Sequence, residues 1–576
     1  MKKLLSGNEA IARGAYESAV SVSAGYPGTP STEILETIAS EYPDIYAEWA
    51  PNEKVAFEVG MGASFAGGRA LVTMKHVGVN VAADPLFTLA YTGVRGGFVL
   101  ISADDPGMHS SQNEQDNRNY APFAKIPLLE PSDSQEAKDF VKEAFHISEQ
   151  FDVPVIVRTT TRIAHAESLV EFGEVDNIEK PSGFARDLQK YVMIPAHARQ
   201  RHVIVEERLK KLQAFSEETP LQKVEFRDDK IGVITSGVSY QYTREVLPNS
   251  SILKLGMTYP LPESLIKNFA SKVQEFYVVE ELDPFLENQI KEMGISVKGL
   301  NRRLGELSPD ILAEFFLNKK VENILPEMKL PGRPPAMCPG CPHRSVFHIL
   351  KKKKLTVTGD IGCYTLSVLP PLEIMDTCVC MGASIGAAMG VEKATKRSDN
   401  VVAVIGDSTF VHSGITGLVD MIYNKSKGTL IILDNETTAM TGRQDHPATG
   451  RTLMGEETVR LNLFELAKTL GVEYVRYVDP YNLDELDSVI EEAVKLDKLA
   501  VVITNRQCVL LKREVSPKLA EVKYDVCKGC GLCLRIGCPA MSRVSAKDKK
   551  VKIDSLLCNG CMVCAQICRQ KAMVEK

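Results

Sequence analysis

The sequence predicts an α/β protein of several domains, built on doubly wound parallel sheets and ending in a small cysteine-rich domain. Two apolar runs rich in β-branched residues, Val401–Ile405 and Thr429–Leu433, have the composition of strands that are buried on both faces. Eight of the 14 cysteines lie between Cys527 and Cys568. A length of 576 residues alone predicts about three to five domains.

The composition indicates a globular protein that binds neither nucleic acid nor membrane. Charged residues make up 25% of the chain and the formal net charge is −6, so there is no basic surplus for nucleic acid. No apolar run reaches the ~18 residues of a membrane span. The first residues, MKKLLSGNEA, lack the apolar core of a secretory signal. We expect a cytoplasmic protein, in which clustered cysteines bind metal rather than form disulfides.

Residues 1–185 form the first predicted domain, in which strand and helix patterns alternate. Ser31 is expected to cap a helix, and the segment NEKVAFEVGMGAS is expected to be helical, with small residues on one face. A loop dense in polar groups follows the third strand and contains His109. Strands are predicted at Ala19–Ser23, Ala70–Met74, Phe98–Ser102, Leu128–Leu129 and Val153–Arg158.

Three further domains are predicted, at residues 186–330, 331–516 and 517–576. The segment Lys180–Phe226 is charged and helical in pattern, which indicates a linker arm or a helical excursion, and Lys230–Glu281 is again α/β without a chemical motif. A proline-rich stretch, LPGRPPAMCPGC, marks the boundary near residue 330. The third domain contains the two apolar runs, and the last contains the cysteine cluster.

Polar residues follow both apolar runs, at the edge where parallel strands end. Asp407 follows the first run and Asn435 the second, so their side chains are expected side by side. Carboxylate and amide oxygens suit Mg²⁺ that holds a diphosphate. The pattern resembles the thiamine diphosphate (ThDP) fingerprint, with Ser408 in place of a glycine and Asp434 in place of an asparagine. The alternative is two strands that end in ordinary turns.

The C-terminal cysteines have the spacing of a two-cluster bacterial ferredoxin, which this segment resembles. Each motif supplies three ligands to one [4Fe–4S] cluster and one to the other. The first motif has four residues before its last cysteine, and Arg569 replaces the usual proline. A zinc ribbon is the alternative, disfavoured by eight cysteines without histidine. The predicted ligand sets are Cys527, Cys530, Cys533 and Cys568 for cluster 1, and Cys558, Cys561, Cys564 and Cys538 for cluster 2.

ThDP together with [4Fe–4S] clusters resembles the 2-oxoacid:ferredoxin oxidoreductase superfamily. The segments YPGTPSTEI, NEKVAFEVGMGAS, CPGCPHR, GDIGCYTL and MGASIG carry this resemblance, which covers essentially the whole chain. The domain order is that of a large (alpha) subunit: pyrimidine-type domain, transketolase-C-like domain, diphosphate-type domain, ferredoxin tail. It implies a separate, smaller beta subunit and an (αβ)₂ assembly.

The resemblance also implies a third [4Fe–4S] cluster, proximal to ThDP. Its ligands would be Cys338, Cys341, Cys363 and Cys508, which match the family order. A zinc knuckle or simple buried thiols are the alternatives. Cys378 and Cys380 have no counterpart in the pattern and are interpreted as packing near the cofactor.

The resemblance assigns roles at the catalytic centre as well. Glu53 is the glutamate expected to hydrogen-bond the aminopyrimidine N1′ of ThDP, with Glu58 as a rival and Glu48 as a weaker one. Thr29 matches a position close to substrate, and His109 with Ser110–Gln112 are pocket candidates. The expected cofactor-binding residues are Gly382, Gly406, Asp407, Ser408 and Asn435, and the expected Mg²⁺ ligands are Asp407, Asn435 and the carbonyl of Thr437.

The activity implied by the resemblance is oxidative decarboxylation of an arylpyruvate, such as indolepyruvate. Coenzyme A would take the acyl group, and the electrons would pass through the clusters to ferredoxin. Another 2-oxo acid, such as pyruvate or a branched-chain acid, is an alternative substrate. A non-redox ThDP decarboxylase and a pure electron-transfer or scaffold subunit are alternative functions, and cluster ligands together with Glu53, Asp407 and Asn435 argue against them.

Overall fold

The computed structural model describes residues 1–178, 181, 183–320, 332, 334–511 and 518–576. The chain forms two compact units, Met1–Glu327 and Met328–Lys576. The first contains the two domains predicted at 1–185 and 186–330, and the second contains those at 331–516 and 517–576. The boundaries predicted near residues 330 and 516, and the start of the charged segment at Lys180, lie outside the described residues. The four-domain division stays a prediction.

A seven-stranded sheet is the core of the first unit, with strand order β12-β6-β7-β5-β4-β2-β3. Its strands are parallel except for β12, which pairs antiparallel with β6 at the edge. A second sheet has the order β13-β10-β11-β9, and β1 pairs with β8. The strands are β1 (Lys2–Ser6), β2 (Val22–Gly25), β3 (Tyr46–Trp49), β4 (Ala70–Lys75), β5 (Phe98–Asp104), β6 (Leu128–Leu129), β7 (Val155–Thr160), β8 (Glu167–Glu171), β9 (Lys223–Glu225), β10 (Ile231–Thr235), β11 (Ser251–Lys254), β12 (Met257–Tyr259) and β13 (Glu275–Val279).

Helices of the first unit begin where side chains cap them. Asn52 accepts a hydrogen bond from the amide of Val55, and Asp133 accepts one from the amide of Glu136. The helices are α1 (Gly7–Glu17), α2 (Thr32–Glu41), α3 (Glu53–Phe65), α4 (His76–Val81), α5 (Ala83–Thr92), α6 (Tyr120–Ala124), α7 (Ser134–Phe151), α8 (Thr161–His165), α9 (Leu188–Tyr191), α10 (Pro195–Glu218), α11 (Gly237–Val246), α12 (Glu263–Ala270), α13 (Phe285–Glu292) and α14 (Pro309–Leu317).

Most predicted strands of the first unit are confirmed to within two residues at either end, but the first is displaced. The expected strand Ala19–Ser23 lies instead at Val22–Gly25, because Ala19 adopts a left-handed conformation (φ 51°) after α1. Ser31 does precede α2, but its hydroxyl donates to the carbonyl of Gly28 rather than capping the helix.

Helix α10 is a helical excursion, one of the two alternatives expected for this segment, and it is anchored to the body of the first unit. Arg201 on α10 donates to the carbonyl of Tyr91 (2.7 Å) and to the carboxylate of Asp152 (3.0 Å). Arg208, about two helical turns further along the same face of α10, donates to the carbonyls of Asp152 and Ala90. These buried arginines had no sequence signal, because their partners are backbone atoms of distant segments.

The second unit is built on a fully parallel five-stranded sheet with the order β14-β15-β16-β18-β17. Alternating residues of β15 and β16 enter two separate apolar cores, one on each face: Val402 and Val404 in one, Ala403 and Ile405 in the other. The predicted doubly wound arrangement is therefore confirmed here. The strands are β14 (Thr356–Thr358), β15 (Val401–Gly406), β16 (Thr429–Asp434), β17 (Tyr474–Val478), β18 (Ala500–Asn505), β19 (Ala520–Val522), β20 (Met541–Arg543), β21 (Val551–Ile553) and β22 (Met573–Glu575).

The helices of this unit cover both faces of the sheet. A π-helical turn, Phe410–Gly414, connects two of them immediately after the end of β15. The helices are α15 (His343–Lys353), α16 (Ala383–Thr395), α17 (Asp407–Thr409), α18 (Ile415–Tyr423), α19 (Leu463–Thr469), α20 (Leu483–Lys495) and α21 (Val563–Ile567).

The cysteine-rich tail packs on the body of the second unit. Its apolar residues Ile536 and Val563 belong to the same core cluster as Val346 and Phe347 on α15. Arg344 spans the junction: its guanidinium donates to the carbonyls of Gly537 (2.5 Å) and Ile536 (3.3 Å) in the tail, and to that of Cys338 (3.1 Å). Among the described residues, no helix is both long and apolar enough to cross a membrane.

A network of buried charges joins the two larger sheets of the first unit. Arg118 donates to Asp116 (2.6 Å) and to Glu280 (2.6 Å), which follows β13. Next to it, Glu281 accepts from the amide of Leu307 (2.8 Å). Burial raises the pKa of Glu281 to about 7, against the opposing effects of that amide and of Arg158.

This raised pKa predicts that the first unit loses stability as the pH rises through 7. The unfolded chain releases the Glu281 proton near the ordinary glutamate pKa of 4.5, whereas the folded chain keeps this proton up to a pH of about 7. The stability that the bound proton contributes to the folded state is therefore complete below pH 4.5 and is lost above the folded pKa. Glu281→Gln, neutral at every pH and still able to accept from Leu307, should flatten the dependence of Tm on pH between 5 and 8. The control is Glu171→Gln at an exposed site. Parallel Tm curves for wild type and Glu281→Gln would contradict the assignment.

Candidate active site and cluster-binding residues

The carboxyl ends of β15 and β16 meet through the side chain of Asp407. This residue follows β15 and is 2% exposed. Its Oδ2 accepts hydrogen bonds from the backbone amides of Asn435 (3.2 Å) and Glu436 (2.8 Å), which follow β16. The expected neighbourhood of Asp407 and Asn435 is thus present, and it is fixed by backbone contacts rather than by flexible side chains.

Three oxygen atoms converge next to this contact. The side-chain oxygen of Asn435 lies 2.9 Å from the carbonyl oxygen of Thr437 and 3.2 Å from Oδ1 of Asp407. The two orientations of this amide differ only by exchange of its oxygen and nitrogen: reversed, its nitrogen donates to both atoms, and in the present orientation the three oxygens form a donor set that suits a cation. One carboxylate, one amide and one carbonyl oxygen form the hard donor set that Mg²⁺ prefers. These are the three ligands predicted from the sequence.

The two aspartates at this edge differ in their environment. Burial acts to raise the pKa of Asp407, but His446, whose Nε2 lies 3.3 Å from Oδ2, and hydrogen bonds hold that pKa below its usual range. The pKa of Asp434 is raised to about 6, first by burial and then by the charge of Asp407. Asp434 accepts from Asn505 (2.7 Å) on β18, whereas Oδ1 of Asp407 is the carboxylate oxygen that lies beside the oxygens of Asn435 and Thr437.

The predicted glycines of the cofactor site are held by two residues that sequence reasoning missed. The amide of Gly406 donates to the hydroxyl of Tyr364 (2.9 Å), and that of Gly382 (φ 88°) donates to Asp360 (2.9 Å). Asp360 follows β14 in the sequence Gly-Asp, the same pair that follows β15, and this repetition was the available signal. Ser408 accepts a hydrogen bond from Thr438 (2.8 Å).

Cys538 of the first tail motif lies with cysteines of the second motif, as the predicted exchange of the fourth ligand requires. Among the described residues, no three His, Cys, Asp or Glu side chains lie close enough together to hold a single metal ion, and the two ligand sets stay predictions. Cys538, Cys558, Cys561 and Cys564 line one cavity, whose volume is about 30 Å³. The pKa of the Cys564 thiol is raised to about 12, first by burial and then by Cys561, Cys538 and Cys558. Grouped, buried thiols of this kind are deprotonated when they bind metal.

The second tail group shows the same pattern around Cys533. Burial raises the pKa of its thiol to about 11, and the nearest sulfur neighbours that add to the shift are Cys568, Cys530 and Cys527. The grouping matches the predicted exchange of the fourth ligand between the two motifs.

The four cysteines expected near the cofactor also lie together. Burial raises the pKa of Cys341 to about 12, with contributions from Cys363 and Cys338, and that of Cys363 to about 11, with contributions from Cys508 and Cys338. The amide of Cys508 donates to the carbonyl of Asn435 (2.9 Å), which attaches this group to the site at the ends of β15 and β16.

Cys378 and Cys380 lie outside that group and are exposed. The thiol of Cys378 donates to the carbonyl of Asp360 (3.7 Å). Their predicted packing near the cofactor therefore rests on the contact with the Asp360 turn.

In the first unit, Glu53 is the most buried of the three candidate glutamates. It is the first residue of α3 and is 6% exposed. An added Cβ at Gly78 on α4 would lie 2.7 Å from its Oε1. Glu58 pairs with Lys54 on the exposed side of α3, and Glu48 accepts from Tyr46 (2.7 Å) at the edge of the sheet. The environment of Glu53 supports its predicted role over those of its rivals.

The polar loop after β5 is organised by Asp105 and reaches Thr29. Asp105 accepts from the amide of Ser110 (2.8 Å) and from the hydroxyl of Ser111 (2.5 Å), and the Ser110 hydroxyl donates to the carbonyl of Thr29 (3.3 Å). His109 faces away from these residues: its Nε2 lies 3.5 Å from Glu306 and half of its side chain is exposed. The structure brings Thr29 and Ser110 together but leaves His109 apart.

Two family models match the chain. One, described as "Pyruvate flavodoxin/ferredoxin oxidoreductase, thiamine diP-bdg", covers residues 13–219, and the other, "Thiamine pyrophosphate enzyme, C-terminal TPP binding domain", covers residues 360–504. The indolepyruvate oxidoreductase subunit IorA of Archaeoglobus fulgidus is 43% identical over 99% of this chain and 97% of the relative. Those of Pyrococcus horikoshii and Methanothermobacter thermautotrophicus are 40% and 39% identical, each over 98% of this chain and 96% of the relative.

The chain belongs to the indolepyruvate oxidoreductase IorA family. Membership confirms the predicted superfamily, the α/β fold class and an oxidoreductase with ThDP-binding domains, linked to ferredoxin. A solved 2-oxoglutarate:ferredoxin oxidoreductase from Magnetococcus marinus is 15% identical with a TM-score of 0.47, covering 55% of this chain and 65% of that one, a likeness too distant to support a conclusion. The individual site residues stay predictions.

The contact between Gly78 and Glu53 gives a test of the role predicted for Glu53. Gly78→Ala places a Cβ 2.7 Å from Cγ and Oε1 of Glu53, so the carboxyl group must shift. We expect kcat to fall roughly tenfold or more, because catalytic positioning is sensitive to such displacements. Gly62→Ala, on α3 with nothing within 4 Å of the new Cβ, is the control. Anaerobic turnover and Tm are measured together; unchanged kcat in Gly78→Ala would contradict the position assigned to Glu53.

Proposed function

We propose that this chain is the large catalytic subunit of an enzyme that oxidises arylpyruvates, indolepyruvate among them, with coenzyme A. The products are aryl-acetyl-CoA and CO₂, and the two electrons reduce two equivalents of ferredoxin. The observation that carries the proposal is the junction at Asn435: its side chain faces the three-oxygen cation site and its carbonyl accepts from Cys508 of the nearest cysteine group. A site for a diphosphate cofactor and a site for a redox cluster are thereby joined by one residue.

Each site residue has a proposed task. ThDP, when bound, supplies the electron sink for decarboxylation of a 2-oxo acid. Asp407, Asn435 and the carbonyl of Thr437 hold Mg²⁺ for its diphosphate, and Gly382, Gly406 and Ser408 lie next to them for close approach of the phosphates. Glu53 holds a proton at the aminopyrimidine N1′, in the buried position that suits proton transfer.

Twelve cysteines are proposed to hold three [4Fe–4S] clusters in series. The group Cys338, Cys341, Cys363 and Cys508 lies at the catalytic end through the contact with Asn435. Cys341 also lines the cavity of cluster 2, so cluster 2 follows the proximal cluster. Cluster 1, whose ligand Cys530 is exposed, is the exit toward ferredoxin.

The remaining partners follow from the relatives. Their name denotes one subunit of an indolepyruvate oxidoreductase, which supports a smaller beta subunit for this chain and, by analogy, an (αβ)₂ assembly. A cytoplasmic location agrees with the need of these clusters for a reducing compartment.

Cofactor content tests the proposal directly. The chain is purified anaerobically with its beta subunit, and iron and ThDP are counted beside electron paramagnetic resonance of the reduced protein. About 12 irons per chain with one ThDP support three clusters, and about eight would remove the proximal one. Iron without ThDP, even with added Mg²⁺, would overturn the enzyme and leave an electron-transfer subunit.

Replacement of the proposed proton-holding group tests the chemistry. Glu53→Gln has nearly the same shape but cannot exchange the proton, so kcat should fall by about 10²-fold or more, while ThDP and iron content stay at the wild-type level. Glu58→Gln on the same helix is the matched control. Full activity of Glu53→Gln would contradict the proposed role of Glu53 in proton transfer. Decarboxylation that needs no CoA and reduces no ferredoxin would favour the non-redox alternative.

The charge of the tail supports a negatively charged protein as electron acceptor. Residues 518–576 contain twelve lysines and arginines against five aspartates and glutamates, a formal +7, whereas the whole chain is −6. Gly529 lies between Cys527 and Cys530, two proposed ligands of cluster 1. Lys549 packs against this glycine, and Arg543 donates to its carbonyl (3.4 Å). Lys518 and Glu575 form an ion pair (2.8 Å) at the ends of this segment, far along the sequence from these residues.

Charge reversal at this basic surface should weaken ferredoxin reduction selectively. In Lys547→Glu/Lys549→Glu, we expect KM for an acidic ferredoxin to rise roughly tenfold or more at low salt, with less difference at high salt, because screening removes the attraction. Reduction of a small uncharged acceptor should not change. Lys396→Glu/Lys425→Glu, at the ends of α16 and α18, alters the charge equally elsewhere. Equal effects of both pairs would contradict docking at cluster 1.

A further inference from the structure

Lys75, the last residue of β4, is a buried ammonium group without an ion-pair partner among the described residues. It is 9% exposed. Its Nζ donates to the carbonyl (2.7 Å) and to the hydroxyl (3.3 Å) of Ser110, both of which are neutral. Two of its three N–H groups are thus used, and one remains for a further acceptor. A buried cation with only neutral partners is costly unless an anion joins it.

The nearest carboxylate, Asp105, is occupied by other donors. Its oxygens accept from the amides of His109 (3.2 Å) and Ser110 (2.8 Å) and from the hydroxyls of Ser111 (2.5 Å) and Thr161 (2.7 Å). Burial lowers the pKa of Lys75 to about 8, and Asp105 opposes this shift only in part. The group therefore carries its charge at neutral pH and lacks a direct counter-ion.

Lys75 lies between two residues already assigned to the catalytic centre. An added Cβ at Gly28 would lie 3.1 Å from Cβ of Lys75, so the lysine runs beside the turn that carries Thr29. Ser110, its hydrogen-bond partner, donates to the carbonyl of Thr29. On the other side, α4 begins directly after Lys75 and presents Gly78 to Glu53.

We propose that Lys75, held in place by Ser110, binds the carboxylate of the 2-oxo acid substrate. The inference rests on the proposed function, since it names the substrate group that this site recognises. The ammonium pairs with the carboxylate on binding, and the pair disappears when that group leaves as CO₂. Lys75 is thus a substrate-binding residue that selects 2-oxo acids over uncharged carbonyl compounds of the same shape.

The variant Lys75→Met keeps the buried stem and removes the charge. We expect KM for the 2-oxo acid to rise by tens of fold, because the loss of a charged hydrogen bond in a buried site has an effect of this order. The KM for coenzyme A, the ThDP content and the iron content should not change. Lys75→Arg, which keeps the charge, should restore most of the affinity, and Lys267→Met on the exposed face of α12 is the control.

Direct binding separates recognition from turnover. The complete αβ enzyme with ThDP is titrated calorimetrically with a 3-arylpropionate, a non-reacting carboxylate, and with the corresponding primary amide. Wild type should prefer the carboxylate, and Lys75→Met should lose that preference while it still binds the amide. Wild-type enzyme that turns over 2-oxo acids while Lys75→Met retains both KM and the carboxylate preference would overturn this subsite alone. A wild type inactive on every 2-oxo acid would overturn the proposed function as well.

Discussion

The site in the second unit depends on two hydrogen bonds, which the carboxylate of Asp407 accepts from backbone amides. They fix the end of β15 against the end of β16, and the turn after β16 then directs the Asn435 side chain and the Thr437 carbonyl to the same point. The carbonyl of Asn435 also receives the amide of Cys508. A shift of one residue in the register of these strands would separate the oxygen ligands and detach the cysteine group together.

The parts of this site that could be predicted from sequence are those with local signals. The strands β15 and β16 are evident from apolar runs, and the neighbourhood of Asp407 and Asn435 from their positions at the strand ends. The ligand roles of these residues and of the tail cysteines stay predictions. The contacts that support them were not predictable in this way. Tyr364 and Asp360 act on Gly406 and Gly382 only after β14 takes its place beside β15, and no local pattern specifies that neighbour.

In the first unit, too, local sequence patterns predict the strands better than the contacts between distant segments. Its sheet strands were found to within two residues, yet the first strand was displaced because a single left-handed residue, Ala19, extends the turn after α1. The arginines of α10 bind backbone carbonyls of other segments, and the charged, helical pattern of this segment does not identify those partners. The burial of Lys75 has no local sequence signal either, because in the run Ala70–Lys75 it is simply the polar residue at the end of a strand. Its burial arises from the loop after β5, which is organised by Asp105 and covers it.

Arg344 gives the tail a different character from that of a tethered domain. By donating to Ile536 and Gly537 on one side and to Cys338 on the other, it holds the cluster-binding tail to the segment that carries the first cysteine group. The shared apolar core around Phe347 reinforces this hold. The tail is therefore a fixed part of the second unit rather than a separate domain that moves on a linker. With the clusters proposed above in place, the distance between neighbouring redox centres would be set by side-chain packing, so internal electron transfer would need neither diffusion nor an encounter step.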